Sequence, residues 1–193
     1  MNAARRTSLA VAVCLVTGIV ATCLAQSVDK TKSRIEFRSK QMNVPVEGNF
    51  SRFAAKIAWN PKRPEASRAE VTVDLTTFDI GLDYVNEEAK GKDWFDVKNF
   101  PQAKFVSSAV KSLGSGRFEA RGKLTLKGVT RDVVAPFTLK AESGAQVFEG
   151  MFPIRRIQYR VGEGQWGDTG TVADEVEIRF HIVATLTPVS GKN

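Results

Sequence analysis

Eight separate runs of this chain place apolar side chains at every second residue, a period that β-strands have and helices lack. The longest is Ala173–Leu186, where Val176, Ile178, Phe180, Ile182 and Ala184 alternate with Glu175, Glu177, Arg179 and His181. Ala69–Leu75 does the same, with Ala69, Val71, Val73 and Leu75 set against Glu70, Thr72 and Asp74. Ser33–Met42, Asn49–Trp59, Ala103–Val110, Arg117–Leu126, Arg131–Lys140 and Val147–Ile154 complete the set. Turn chemistry falls between the runs, at Pro61-Lys-Arg-Pro64, Gly114-Ser115-Gly116, Lys127-Gly128 and Ser143-Gly144. Only Asp83–Trp94 departs from the period, and Asn86-Glu87-Glu88-Ala89-Lys90 predicts a short helix ending near Gly91.

Consecutive strands without βαβ spacing predict an antiparallel meander, and a twisted sheet of that many strands closes to remove its exposed edges. The expected fold class is therefore all-β, an eight-stranded antiparallel β-barrel with its apolar face inward. Such an interior is either filled by side chains or holds one small ligand. An outer-membrane barrel fits poorly. Several runs are shorter than the roughly 9–11 residues a membrane strand needs, and the aromatics lie mid-strand instead of forming girdles.

The first residues follow another rule. Arg5 and Arg6 precede an apolar stretch from Leu9 to Leu24, and Ala25-Gln26-Ser27 then opens a polar region. That is the pattern of a secretory signal with cleavage after Ala25, which leaves residues 26–193 as the mature domain. The apolar stretch is 16 residues, short of the roughly 20 that span a bilayer as a helix. Cleavage would remove Cys14 and Cys23, so the mature domain carries no thiol and must hold itself together with an ordinary core. Its formal charge falls from +7 to +5, with 26 basic residues against 21 acidic. The basic residues are scattered, which argues against a nucleic-acid partner.

No catalytic motif accompanies the strands. Gly162-Glu-Gly-Gln-Trp-Gly167 matches a dinucleotide-binding turn, but a strand follows it where the motif needs a helix, so it reads as a glycine-rich loop. His181 is the only histidine and falls on the outward parity of its strand. It has no companion ligands for a metal and no nucleophile elbow for a triad. Asp79, Asp83, Glu87 and Glu88 read as a solvated helix face. The expected catalytic and metal-site residues are none, and no cofactor is expected.

Two blocks are more specific. Trp94-Phe95-Asp96-Val97-Lys98-Asn99-Phe100-Pro101-Gln102-Ala103-Lys104-Phe105, followed by Gly122-Lys-Leu-Thr-Leu-Lys-Gly-Val-Thr130, resembles the YceI-like family of lipocalin-like, polyisoprenoid-binding periplasmic proteins. Gln41–Phe50 resembles the family's opening strands, and Arg160–Trp166 with Thr171–Val176 the closing portion of one branch. Ile154-Arg-Arg-Ile157 departs from the Arg-x-Asp-Phe-Gly run of many members. The resemblance implies a lipocalin-like barrel with a short helix packed at one end. It also implies an isoprenoid lipid or quinone threaded into that barrel, in the periplasm, for carriage, storage or sequestration. The alternatives are an enzyme acting on a lipid or quinone, with His181 or the carboxylates as acid/base, and a ligand-free partner of a membrane redox complex. A membrane-associated redox protein and a second copy in a homodimer are the further partners considered.

Strand parity supplies the candidate ligand-binding residues. Phe37, Phe53, Ile57, Trp59, Val71, Phe105, Phe118, Leu124, Phe137, Phe148, Phe152, Phe180 and Ile182 share the inward face of their strands. Trp94, Phe95 and Phe100 are expected to pack the helix and its exit loop against the barrel. Arg155, Arg156 and Arg160, near Tyr159, are candidates for an anionic headgroup at the mouth, because the planar arginine fork suits phosphate.

Overall fold

A computed structural model describes residues 26–186. The expected signal segment, residues 1–25, and the last seven residues lie outside the described residues. The strands are β1 (Gln26–Val28), β2 (Arg34–Gln41), β3 (Val44–Phe50), β4 (Phe53–Ala58), β5 (Arg68–Asp74) and β6 (Phe78–Asp79). After the helix α1 (Asp83–Lys90) come β7 (Gln102–Gly114), β8 (Arg117–Leu126), β9 (Val129–Glu142), β10 (Ala145–Arg155) and β11 (Glu175–Leu186).

These segments make eight staves. β1 and β2 lie end to end along β11, β3 and β4 form the next stave, and β5 and β6 the third. Each following strand is one stave, paired antiparallel with its neighbour in sequence, and β11 returns to β1 and β2. The result is a closed up-and-down antiparallel barrel in which β5 passes the ladder on to β7 while the two-residue β6 pairs with β3 alone.

The staves break where side chains replace the ladder. Between β1 and β2 the backbone of Val183 would lose its partners; instead Asp29 N–H donates to Val183 O at 2.8 Å, and Val183 N–H donates to Ser33 Oγ at 2.9 Å. Between β3 and β4, Arg52 N–H donates to Thr77 Oγ1 at 3.2 Å and Asp74 N–H to Arg52 O at 3.0 Å. Asn49–Trp59, one run in the sequence, is thus bent into two strands at Ser51-Arg52.

Four hairpin turns place two consecutive residues in the left-handed region: Met42-Asn43, Ser115-Gly116, Lys127-Gly128 and Ser143-Gly144. Such turns match the twist of the strands they join. Gly128 answers a second demand as well, because a Cβ there would stand 2.8 Å from the Phe100 ring. α1 runs three residues further back than Asn86 and stops at Gly91.

Candidate ligand-binding site

The barrel is hollow. An outer chamber of about 660 Å³ and an inner chamber of about 150 Å³ adjoin across a belt formed by Ile35, Val73, Ala103, Leu124, Phe152 and Ile178, which line both. The outer chamber lies under α1, the β2–β3 hairpin and the loop between β10 and β11, and it reaches the surface where Tyr84 is 75% exposed and Leu82 47% exposed. The inner chamber is walled by Ile57, Trp59, Val71, Phe105, Phe137, Phe148, Phe180 and Ile182 among others. A volume of this combined order is ordinary for a site that encloses one small molecule.

Glycine helps to keep the lumen open. A Cβ on Gly48 would meet the Phe37 ring at 2.5 Å, one on Gly122 the Phe105 ring at 2.7 Å, and one on Gly150 the Phe180 ring at 2.6 Å. Each phenylalanine therefore lies over a neighbouring backbone that has no side chain, so its ring lines the wall instead of crossing the lumen.

Eleven of the thirteen inward residues line a chamber. Phe37 faces the outer one, Leu124 and Phe152 face both, and Ile57, Trp59, Val71, Phe105, Phe137, Phe148, Phe180 and Ile182 face the inner one. Phe118 lines neither: it stacks on Phe137 at 5.4 Å and meets Trp59 edge-on at 4.9 Å, so it plugs the inner end. Phe53 also lines neither and is packed against the core. The inner chamber offers mostly apolar contact, although Ser67, Arg68 and Lys104 also line it and the Trp59 N–H is left without an acceptor.

Parity within the strands could have added Ile35, Val176 and Ile178, which share a face with residues that were selected. Trp94 and Phe95 do pack beside α1 and also line the outer chamber, with Phe95 against Phe50 at 6.1 Å and Phe78 at 5.5 Å. Phe78 belongs to the two-residue β6, Tyr84 to α1 and Trp166 to the loop, where no period signals them.

The four residues expected at the mouth do not converge. Arg156 is 2% exposed, and its five N–H groups all donate to backbone carbonyls: Nε to Ala173 at 3.1 Å, Nη1 to Val161 at 3.0 Å and Gly162 at 2.7 Å, Nη2 to Trp166 at 2.8 Å and Val172 at 2.7 Å. No donor is left for a headgroup. Burial pulls its pKa down, opposed by the carboxylates of Asp174 and Asp168, and an arginine so placed stays charged. Its plane also sits 5.7 Å from the Trp94 ring. Arg155 pairs with Asp174 at 3.6 Å and Arg160 with Glu163 at 3.1 Å, both on exposed side chains. Tyr159 is buried in the core, which raises its pKa, and lines neither chamber.

The polar residues around the outer chamber are others. Ser39, Lys40, Gln41 and Glu47 come from the β2–β3 hairpin and Glu88 from α1. Glu88 Oε1 accepts from Trp166 Nε1 at 3.0 Å, which ties the helix to the loop across the opening. His181 stands on the outer wall, 4.0 Å from Glu149, and lines neither chamber. Gly162–Gly167 forms part of the loop, with a short 3₁₀ turn at Gly164–Trp166 and no strand-to-helix crossover.

A closed meander barrel with an apolar lumen and a polar mouth is an architecture that can enclose an apolar ligand. The YceI-like domain model matches residues 26–184, and the chain belongs to that family. BcnA of Burkholderia cenocepacia is 45% identical in a structural alignment covering 82% of this chain and 100% of that one, with a TM-score of 0.80. A polyisoprenoid-binding domain from Saccharophagus degradans shares the fold at 16% identity, covering 85% of this chain and 99% of that one, with a TM-score of 0.68. A UPF0312 protein of Pseudomonas putida (strain W619) is 37% identical over 99 residues, half of each chain. The chain thus spans about half the length of the curated relatives it matches.

Proposed function

We propose that this protein is a non-enzymatic binding protein that holds a long isoprenoid lipid, of the quinone or polyprenyl type, inside its barrel, and that it does so in the periplasm after export. The observation that carries this reading is the two-chamber lumen, whose surface is mostly apolar in both chambers and whose polar surface lies mainly in the outer one. A ligand that fills it must be long, apolar and tipped with a polar group. The Saccharophagus degradans domain, described as polyisoprenoid-binding, supports the same class. The signal-like start of the sequence supports export.

Each buried CH₂ contributes roughly 0.8 kcal/mol, so even a modest tail suffices for tight binding. Affinities nonetheless saturate near about −18 to −21 kcal/mol, and ordering a flexible chain takes part of the gain. An acid/base role for His181 finds no support, since the side chain points away from both chambers. Native mass spectrometry of the protein taken from its own periplasm is the direct test, and an organic-extractable lipid at about one per chain is expected. Protein that is lipid-free in repeated preparations, and gains no thermal stability from added polyprenol or quinone, would sink the reading.

A further inference from the structure

Resting on the isoprenoid reading, we infer that the mouth selects a chain ending in a neutral polar group, a hydroxyl or carbonyl, over the same chain ending in a diphosphate. Diphosphate recognition is built from arginine forks and clustered cations. Among the described residues Arg156 is the only arginine that lines the outer chamber, and backbone carbonyls take all five of its N–H groups. Its charge is met by Asp168 and Asp174. Arg155 and Arg160 are turned to Asp174 and Glu163 and do not line the chamber.

The other charged groups of the lining are one ammonium and two carboxylates: Lys40, Glu47 and Glu88. Lys40 makes no ion pair among the described residues, Glu47 is 3.3 Å from Arg38, and Glu88 holds Trp166. The first turn of α1, which opens beside the mouth, already carries Asp83, so its positive end is answered from within. Glu87, further along the helix, is paired with Lys90 at 2.6 Å. A diphosphate would bring several negative charges against Glu47, already shared with Arg38, and Glu88, with Lys40 as the one lining cation left unpaired among the described residues. A hydroxyl or carbonyl meets donors and acceptors in balance: the Lys40 ammonium and Gln41 amide on one side, the Glu47 carboxylate on the other.

The test titrates delipidated protein with geranylgeraniol and with geranylgeranyl diphosphate at low salt. Trp59, Trp94 and Trp166 all line the lumen, so intrinsic fluorescence reports both. The alcohol is expected to bind at least about tenfold tighter, with the gap narrowing as salt screens the mouth. Glu47→Gln and Glu88→Gln, singly and together, should each narrow the gap, and Glu88→Gln keeps an oxygen for Trp166. Lys40→Glu should widen it. A diphosphate bound as tightly as the alcohol, or more tightly, overturns the inference while leaving the isoprenoid reading standing. Binding of neither ligand overturns the isoprenoid reading and this inference with it.

Discussion

At the scale of single residues, Arg156 and Arg160 show how one short segment divides its work. Arg156 gathers carbonyls from Val161, Gly162, Trp166, Val172 and Ala173, none of which sits in a strand ladder, and so fixes the loop that roofs the outer chamber. Lysine carries the charge but not the fork, so Arg156→Lys leaves several buried carbonyls unpaired. A loss of about 3 kcal/mol is expected in urea unfolding; a loss under about 1 kcal/mol would show that the fork is dispensable. Arg160 ends the adjacent 3₁₀ turn at φ +61°, a conformation that glycine adopts without strain. Arg160 therefore occupies a position whose backbone suits glycine. Arg160→Gly should raise stability by about 0.5 kcal/mol after the entropy of the freer unfolded chain is counted. A fall in the melting temperature would show that the exposed pair with Glu163 matters more than the strain.

At the scale of elements, the roof loop is also held by Asp168, which accepts from Gly170 N–H at 2.9 Å and Thr171 Oγ–H at 2.9 Å. These bonds lower its pKa below the ordinary value, with the Gly170 backbone N–H the largest cause. A carboxylate depressed in the folded state stabilises above its unfolded pKa, and that contribution fades as pH falls through the folded value, below about pH 4. Asp168→Asn keeps an accepting oxygen and does not ionise, so the variant should lose less stability than the parent between about pH 5 and pH 2. Identical acid profiles in urea titrations would remove Asp168 from the account. The same loop marks the boundary of what was legible. The long staves, from β7 to β11, could be read because alternation runs through most of each, despite the register shifts at Ser107/Ala109 and Ser112/Gly114 in β7, and because glycine marks the turns at Gly116, Gly128 and Gly144. β1, with its three residues, is too short to show a period, yet it helps to close the barrel. The Met42-Asn43 turn went unread because neither residue is glycine. The roof went unread for a different reason: its backbone carbonyls are gathered by the Arg156 side chain, and no strand or helix period encodes that.

For the whole molecule, inward parity reported a hollow as readily as a filled core, and the difference lies in what stands behind each ring. Gly48, Gly122 and Gly150 give Phe37, Phe105 and Phe180 room against the wall, while Phe118 closes one end. The two chambers then share a belt in which Ala103 is the smallest side chain and is 9% exposed. A tail that threads the barrel must pass Ala103 to reach the inner chamber of about 150 Å³, the smaller of the two. Ala103→Phe would fill the belt and leave the outer chamber and mouth as they are. Because the new ring enters existing space, its cost to stability should stay at or below the usual overpacking range of about 1–3 kcal/mol. Across a series from farnesol to longer polyprenols, the gain in affinity with tail length should stop at a shorter tail in the variant, since the last carbons no longer find apolar wall. Affinity for farnesol itself should be unchanged. An unaltered length dependence would mean that the tail lies wholly in the outer chamber, and that the aromatic inner end serves the barrel's stability instead of its ligand.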